Sequence, residues 1–440
     1  MSRKKIMLDI TPLQYGFLPN SARSGIFFTL KNVLTRLLKR DDIGLLFNLN
    51  LEDAPNVGTS VSEVLKREFP EQREWILSRT FSAQPSRLRV FCLRQNARIA
   101  RGKERFRNDP AIFFLLRAAY CLVNRVLPPL SRFWPGRSAP DPDVHYLSLM
   151  LDPPGYIKAS IPPERRYLLL YDTIPLSLPE YASHQGGWFG DVIRNIDPAS
   201  NYLAISRSTR DDFVRFFPQL AGKDIPVVHL AAAEYFHRVD DAGAIAAVRE
   251  KYHIPAGKKI FFSHCSLAPH KNLEMLFRAF AEFYKTDSDW IMLFSGANIG
   301  EKMETLTAIA AESSLPETAF AFTGYVDDAE LPVLYSIADV FCFVSRFEGF
   351  GLPVLEAMQC GCPCLVSNVT SLPEVAGDAA YLVSPTDLGD IVRGMKTLAG
   401  DAALRSELSR KGLERAKTFS WEKTAGQILE AIEKTDAARN

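Results

Sequence analysis

Short apolar runs alternate along this chain with stretches whose apolar residues recur at helical spacing, punctuated by glycine, proline and polar residues. In the first half, residues 6–10 read as a buried strand, 11–24 as a polar loop and 25–38 as an amphipathic helix. The run 167–171 ends at Asp172, ahead of Pro175 and Pro179, which stop regular structure. Residues 202–206 form another run, with Ser206 placed to cap a helix over 209–216, and 226–230 read as a closing strand.

The second half repeats the alternation more regularly. Strands are expected at 259–263, 290–295, 319–323, 340–345, 364–367 and 380–383, and helices over 272–284, 301–312, 328–336 and 353–360. Strands alternating with helices predict parallel sheets covered on both faces. The expected fold is therefore α/β, with two Rossmann-like, doubly wound domains facing each other across a cleft. They cover residues 1–235 and 236–418, and residues 419–440 form a capped helix able to pack back on the first domain. Ligands of such sheets bind beyond the carboxyl ends of the strands, so the cleft is the expected site.

Composition excludes several classes. With 47% hydrophobic and 23% charged residues this is a soluble globular composition, and a net charge of +1 gives no reason to expect nucleic acid. Seven irregularly spaced cysteines suggest a reducing compartment rather than a disulfide framework. The apolar run after the basic start is too short for a signal peptide, and none approaches the ~20 residues that span a bilayer. A cytoplasmic protein is expected. The balance hides one asymmetry, because residues 61–140 hold 16 Lys/Arg against 6 Asp/Glu. Phe113, Phe114, Phe133 and Trp134 lie there among Arg117, Arg125 and Arg132. Two readings of this basic insert stay open: peripheral docking to the anionic inner face of a plasma membrane, or a helical insertion with a solvated basic face.

The chemistry concentrates in Glu348-Gly349-Phe350-Gly351-Leu352-Pro353-Val354-Leu355-Glu356-Ala357-Met358. The segment starts where a buried strand ends, and Pro353 suits the first turn of a helix. Gly349 and Gly351 would let the backbone approach a ligand, and the free amides and positive dipole end of the helix suit a diphosphate. Glu356, expected in the first turn, can accept both hydroxyls of a ribose. Glu348 would lie beyond the phosphates, beside a sugar. The bland account is a tight strand–turn–helix with packed glycines and solvated acids. A second segment, Ser266-Leu267-Ala268-Pro269-His270-Lys271-Asn272, would place Lys271 at a helix start facing the cleft, where a cation neutralises a leaving diphosphate.

The first segment resembles the E-x7-E signature of glycosyltransferase family 4, retaining enzymes of the GT-B fold. The similarity extends over about residues 260–436, through Phe322-Thr323-Gly324-Tyr325, Leu334-Tyr335, Gly361-Cys362-Pro363, Pro373-Glu374 and Phe419-Ser420-Trp421-Glu422. The resemblance implies an acceptor-side first domain and a donor-binding second one. It implies that Glu356 holds the ribose and that Glu348 contacts the sugar and supports the transition state. Ser266, His270, Lys271, Tyr325, Gly349, Phe350, Gly351 and Leu352 would complete the donor site. The family commonly reads G-T-L-E-P-R-K-N where this chain has His270, and a neutral histidine does not replace a guanidinium's fork of donors. Tyr171-Asp172-Thr173-Ile174-Pro175-Leu176 resembles the family's H-D-x-I-P-L element, with Tyr for His. Asp172 is then a candidate to orient the acceptor hydroxyl or accept its proton, or else a turn-initiating aspartate. Gly25 resembles a loop-to-helix glycine near the donor phosphates, and His145 is a weaker candidate for a sugar-contacting histidine.

Cys360, Cys362 and Cys364 lack the second ligand pair of a zinc site, and Asp141 and Asp143 sit in a proline-rich loop. No metal and no cofactor are expected, the nucleotide diphosphate sugar being the substrate. The expected reaction moves a sugar, by preference mannose from GDP-mannose, to a glycan or lipid-linked glycan in bacterial surface polysaccharide synthesis. A UDP-sugar donor, a nucleotide-sugar epimerase of the same fold and a non-catalytic nucleotide-sugar or glycan binding protein are the alternatives.

Overall fold

Apolar runs long enough to be covered on both faces become parallel strands here, in two sheets of a computed structural model that describes residues 3–16, 25–50, 57–81, 140–149, 153–181, 196–266, 268–296 and 300–437. In the first sheet β1 (Lys4–Asp9), β2 (Ile43–Asn48), β3 (Thr80–Phe81), β4 (His145–Ser148), β5 (Arg166–Leu170) and β6 (Asn201–Ala204) lie in the order β3-β2-β1-β4-β5-β6. In the second, β7 (Lys259–His264), β8 (Trp290–Ser295), β9 (Phe320–Phe322), β10 (Val340–Phe343), β11 (Cys364–Ser367) and β12 (Ala380–Val383) lie in the order β12-β11-β10-β7-β8-β9. β8 is buried at every position, as a strand sandwiched between helices must be.

The strand order positions the site. From β7 the second sheet grows one way through β8 and β9, and from β10 the other way through β11 and β12. The chain direction of the crossovers reverses between β7 and β10. At such a switch point the loops leaving adjacent strands diverge and open a crevice. Those two loops carry Lys271 and Glu348.

Two expectations for the first sheet need correction. Residues 226–230 form no strand but a single parallel bridge, Ala204 to Val227. The sequence reading also passed over β2, whose run Ile43-Gly44-Leu45-Leu46-Phe47 is bounded by Asp41-Asp42 and Asn48. Most of the basic insert, residues 82–139, lies outside the described residues. No helix among the described residues is long and apolar enough to cross a membrane.

The chain divides into two compact units. One comprises residues 1–19, 23–168 and 199–201, the other residues 20–22, 169–198 and 202–440. In the first, Asp9 at the carboxyl end of β1 is buried and accepts hydrogen bonds from Thr11 Oγ1 (2.6 Å), Tyr146 OH (3.1 Å) and Ser148 Oγ (3.2 Å). Burial raises its carboxyl above the usual range although these donors oppose the shift. In the second, the helix Trp421–Ala437 is anchored by Trp421, which is 2% exposed and donates to the Ala232 carbonyl at 3.2 Å, and by Thr424, which donates to the His229 carbonyl at 2.7 Å. Trp421→Ala should destabilise the protein by about 3–5 kcal/mol, read as a lowered urea midpoint at unchanged slope.

Candidate functional site

The loop after β7 turns sharply. Pro269–Lys271 form one 3-10 turn and Asn272 adopts a left-handed conformation (φ +60°) before the helix Leu273–Tyr284 begins. Lys271 thus ends the turn rather than opening the helix. The Asn272 side chain makes this geometry worthwhile: its Nδ2 donates to the carbonyls of Val344 (3.0 Å) and Pro385 (2.8 Å). One amide therefore ties the loop after β7 to those after β10 and β12.

That tie brings Lys271 beside Glu348. Nζ donates to Glu348 Oε1 at 2.7 Å, with the two side chains only 14% and 10% exposed. Nζ also lies 5.1 Å from the centre of the Phe343 ring. Burial alone would lower the lysine, but the facing Glu348 carboxylate, with Cys265 and Asp172, outweighs it and lifts Lys271 above its ordinary value. Asp172, two residues beyond β5, joins the same electrostatic group. Burial raises its carboxyl, Glu348 adds to the rise, and Lys271 and the Ile174 amide (3.0 Å) oppose it. The three residues expected to carry the chemistry are gathered in the second unit.

His270 is buried, its Nδ1 2.7 Å from Tyr181 OH. Burial and the Lys271 charge push it down to about 4, so it is neutral near pH 7 and adds no second cation. Arg346 supplies one nearby instead, pairing with Glu180 while its amide donates to the His270 carbonyl at 2.7 Å.

The helix after β10 runs Leu352–Gln359, with Gly351 as N-cap at φ +113° and Pro353 in its first turn. Glu356 falls in the second turn, not the first, because the helix starts at Leu352. Burial raises its carboxyl to about 7, against a hydrogen bond from Tyr335 OH at 3.0 Å. The two glycines have a reason the sequence did not reveal. A Cβ at Gly349 would overlap the Tyr171 carbonyl oxygen, and one at Gly351 would come 2.6 Å from Leu372 Cδ2. Protein, not ligand, fills those spaces. The amides of Gly349, Phe350 and Gly351 have no hydrogen-bond acceptor among the described residues.

The remaining candidates are dispersed. Ser266 is exposed, and Tyr325 is 43% exposed beyond Gly324 at φ +69°. Gly25 belongs to the first unit, where it opens the helix Gly25–Leu37 and accepts a 2.8 Å bond from Thr29 Oγ1. His145 is the first residue of β4 rather than near its end, so it sits at the edge of the sheet opposite the carboxyl ends. Cys360, Cys362 and Cys364 are free and buried, and no group of His, Cys, Asp and Glu among the described residues is placed to hold a metal ion. Sequence reasoning missed Tyr335 as the partner of Glu356, along with Ser371, Thr209 and His229 around the Glu348–Gly351 turn. A serine just before Leu372-Pro373-Glu374 was the available signal.

The sequence profile of the family described as glycosyl transferases group 1 matches residues 245–415. The chain is 30% identical over 295 residues to the serotype-specific mannosyltransferase WbdA of Escherichia coli, covering 64% of this chain and 36% of that protein. It therefore spans about a third of the length of that relative. It is 30% identical over 272 residues to the O-antigen chain mannosyltransferase B of Escherichia coli, covering 61% of this chain and 70% of that protein. The sucrose-phosphate synthase of Thermosynechococcus elongatus superposes with a TM-score of 0.62 at 18% identity, covering 99% of this chain and 100% of that one, a likeness of fold alone.

Because the Tyr171 carbonyl fills the Cβ space of Gly349, Gly349→Ala has to move one of the two backbones. Any enzymatic turnover should fall at least about tenfold while the far-ultraviolet circular dichroism stays native.

Proposed function

The chain belongs to the glycosyl transferases group 1 family, and on that premise we propose that it moves a sugar from a nucleotide diphosphate donor to an acceptor hydroxyl. The observation that carries this reading is the meeting of Lys271, Glu348 and Asp172 beside a turn whose Gly349, Phe350 and Gly351 amides lack acceptors. Cation and amides suit a leaving diphosphate, and a carboxylate suits the positive charge that develops at the sugar.

In the proposed reaction the bond from sugar C1 to the diphosphate oxygen breaks and a bond from C1 to the acceptor oxygen forms. The acceptor's proton passes to Asp172 or to the leaving phosphate oxygen. Lys271 and the turn amides take up the leaving charge. Glu348 steadies the oxocarbenium-like centre, and configuration is retained. Glu356, held by Tyr335, receives the ribose hydroxyls. Ser266 and Tyr325 complete the donor contacts in this reading, and no metal takes part. Mannose is the proposed sugar because both Escherichia coli relatives are named mannosyltransferases, with GDP as carrier and a glycan or lipid-linked glycan as acceptor.

A thermal-shift panel of GDP, UDP, ADP and their sugars, run in EDTA, tests the donor site. Stabilisation by GDP and GDP-mannose is expected, and a flat response across all members would remove the reading. Glu348→Gln should slow turnover by about 100-fold or more while leaving nucleotide binding intact or tighter, since it releases Lys271. Glu356→Ala should chiefly weaken the nucleotide. An inverted pattern would exchange the two roles.

Ribose hydroxyls donating to Glu356 favour its ionised form, so binding should displace the proton that this carboxyl, raised to about 7, holds in acid. Affinity should be level above about pH 8 and decline as pH falls through 7. Glu356→Gln, which keeps the phosphate's own titration, should flatten that share of the profile. Equal slopes in both proteins would separate Glu356 from the ribose.

A further inference from the structure

The unpaired amides next to Glu348 are oriented from behind, by hydroxyls. Ser371 Oγ lies 2.9 Å from the Glu348 carbonyl oxygen and 2.8 Å from that of Phe350, a three-centre bond from one proton. Between them the Gly349 carbonyl receives Ser206 Oγ at 2.8 Å and Thr209 Oγ1 at 3.1 Å. Thr209 Oγ1 is also 3.0 Å from the Tyr171 carbonyl, and Ser206 Oγ accepts the Thr209 amide at 3.0 Å. Ser206 donates to Gly349, and Thr209 shares its one proton between the Gly349 and Tyr171 carbonyls. Ser206, Ser371 and Thr209 are 0%, 0% and 2% exposed, so water cannot substitute for any of them.

A trans peptide is planar, and its N–H points opposite its C=O. Fixing the carbonyls of Glu348, Gly349 and Phe350 therefore fixes the amides of Gly349, Phe350 and Gly351. Holding the first and third carbonyls on one hydroxyl aims the Gly349 and Gly351 amides together, away from Ser371. Amides left open side by side at a helix start can receive an anion.

The surroundings are built to hold this arrangement. Thr370 Oγ1 accepts the Glu348 amide at 3.1 Å from a backbone at φ +53°, a costly conformation for a β-branched residue. The Phe350 ring lies against His229 and Phe419, with centroids 6.1 and 6.0 Å away. His229 Nε2 is 2.6 Å from Glu374, whose carboxylate also takes the Arg207 amide at 2.8 Å, next to the Ser206 cap.

We infer that Ser371, which sets the Gly349 and Gly351 amides, and Ser206 and Thr209, which set that of Phe350, are positioning residues for the donor's diphosphate, an inference that rests on the donor reading above. They touch no substrate. Their effect is read in how strongly the protein prefers a diphosphate over a monophosphate of the same nucleoside.

Isothermal titration of the wild type, Ser371→Ala, Thr209→Val and Thr209→Ser with GDP and GMP, and with UDP and UMP, measures that preference. The wild type should bind one diphosphate more tightly than its monophosphate. Ser371→Ala and Thr209→Val should each lose about tenfold of that ratio with monophosphate affinity nearly unchanged, and Thr209→Ser should keep it. Folded variants that retain the full ratio would overturn the role of the hydroxyls while leaving the donor site standing. A wild type that does not distinguish diphosphate from monophosphate would instead remove the donor reading and this inference with it. Should Ser371→Ala fail to fold, the isosteric Thr209→Val and its serine counterpart decide the matter.

Discussion

A buried ammonium and a buried carboxylate 2.7 Å apart constrain everything around them in the second unit. Such a pair persists only if burial of each charge is offset by the other and by well-placed dipoles. Lys271 meets this condition because the Asn272 side chain fixes its turn against two neighbouring loops, and Glu348 because hydroxyls grip both sides of its peptide. The loops that diverge from β7 and β10 are thereby held in one relation at the point where the sheet changes direction. A site at that crevice inherits its rigidity from the pair.

The same constraint explains why backbone polarity is spent in one direction. Carbonyls outnumber amides among the bonded groups of the turn: three carbonyls face hydroxyls, while the three following amides face none among the described residues. A buried amide without an acceptor carries a desolvation cost of order 1–3 kcal/mol. Leaving several together is tolerable only where a solvent molecule or an anion completes them. The turn is in that sense unfinished, and its amide donors call for an acceptor.

Much of the second sheet was legible in the sequence because its strands are continuous apolar runs bounded by glycine, proline or a capping residue. Trp290–Ser295, Cys364–Ser367 and Ala380–Val383 coincide with their expected bounds. The first sheet was less legible. β2 was overlooked although its run is apolar, and 226–230, equally apolar, pairs through a single bridge. Local pattern does not say whether an edge partner is present. Within the site, Glu348 and Lys271 were marked by type and spacing, and Asp172 by the resemblance of its segment to the H-D-x-I-P-L element. Ser371 and Thr209 were not, because their hydroxyls act over long sequence separations, and only the Leu372-Pro373-Glu374 that follows Ser371 offered a local cue. Glycine was read as room for a ligand, yet at 349 and 351 the room is taken by Tyr171 and Leu372.

Glu348 of the loop and Glu356 of the helix that follows show how two nearby carboxylates come to differ. Glu348 faces a cation, and its charge is part of an ion pair. Glu356, one helix turn further into the protein, faces a tyrosine hydroxyl and no cation among its described partners, and burial carries it to about 7. A cation beside one acid and a neutral hydroxyl beside the other give them different surroundings on one backbone segment. Glu356, raised to about 7 by burial, is the acid whose ionisation further hydrogen-bond donors would favour. Spacing sets where the two acids stand, but Lys271 and Tyr335 decide what each of them is.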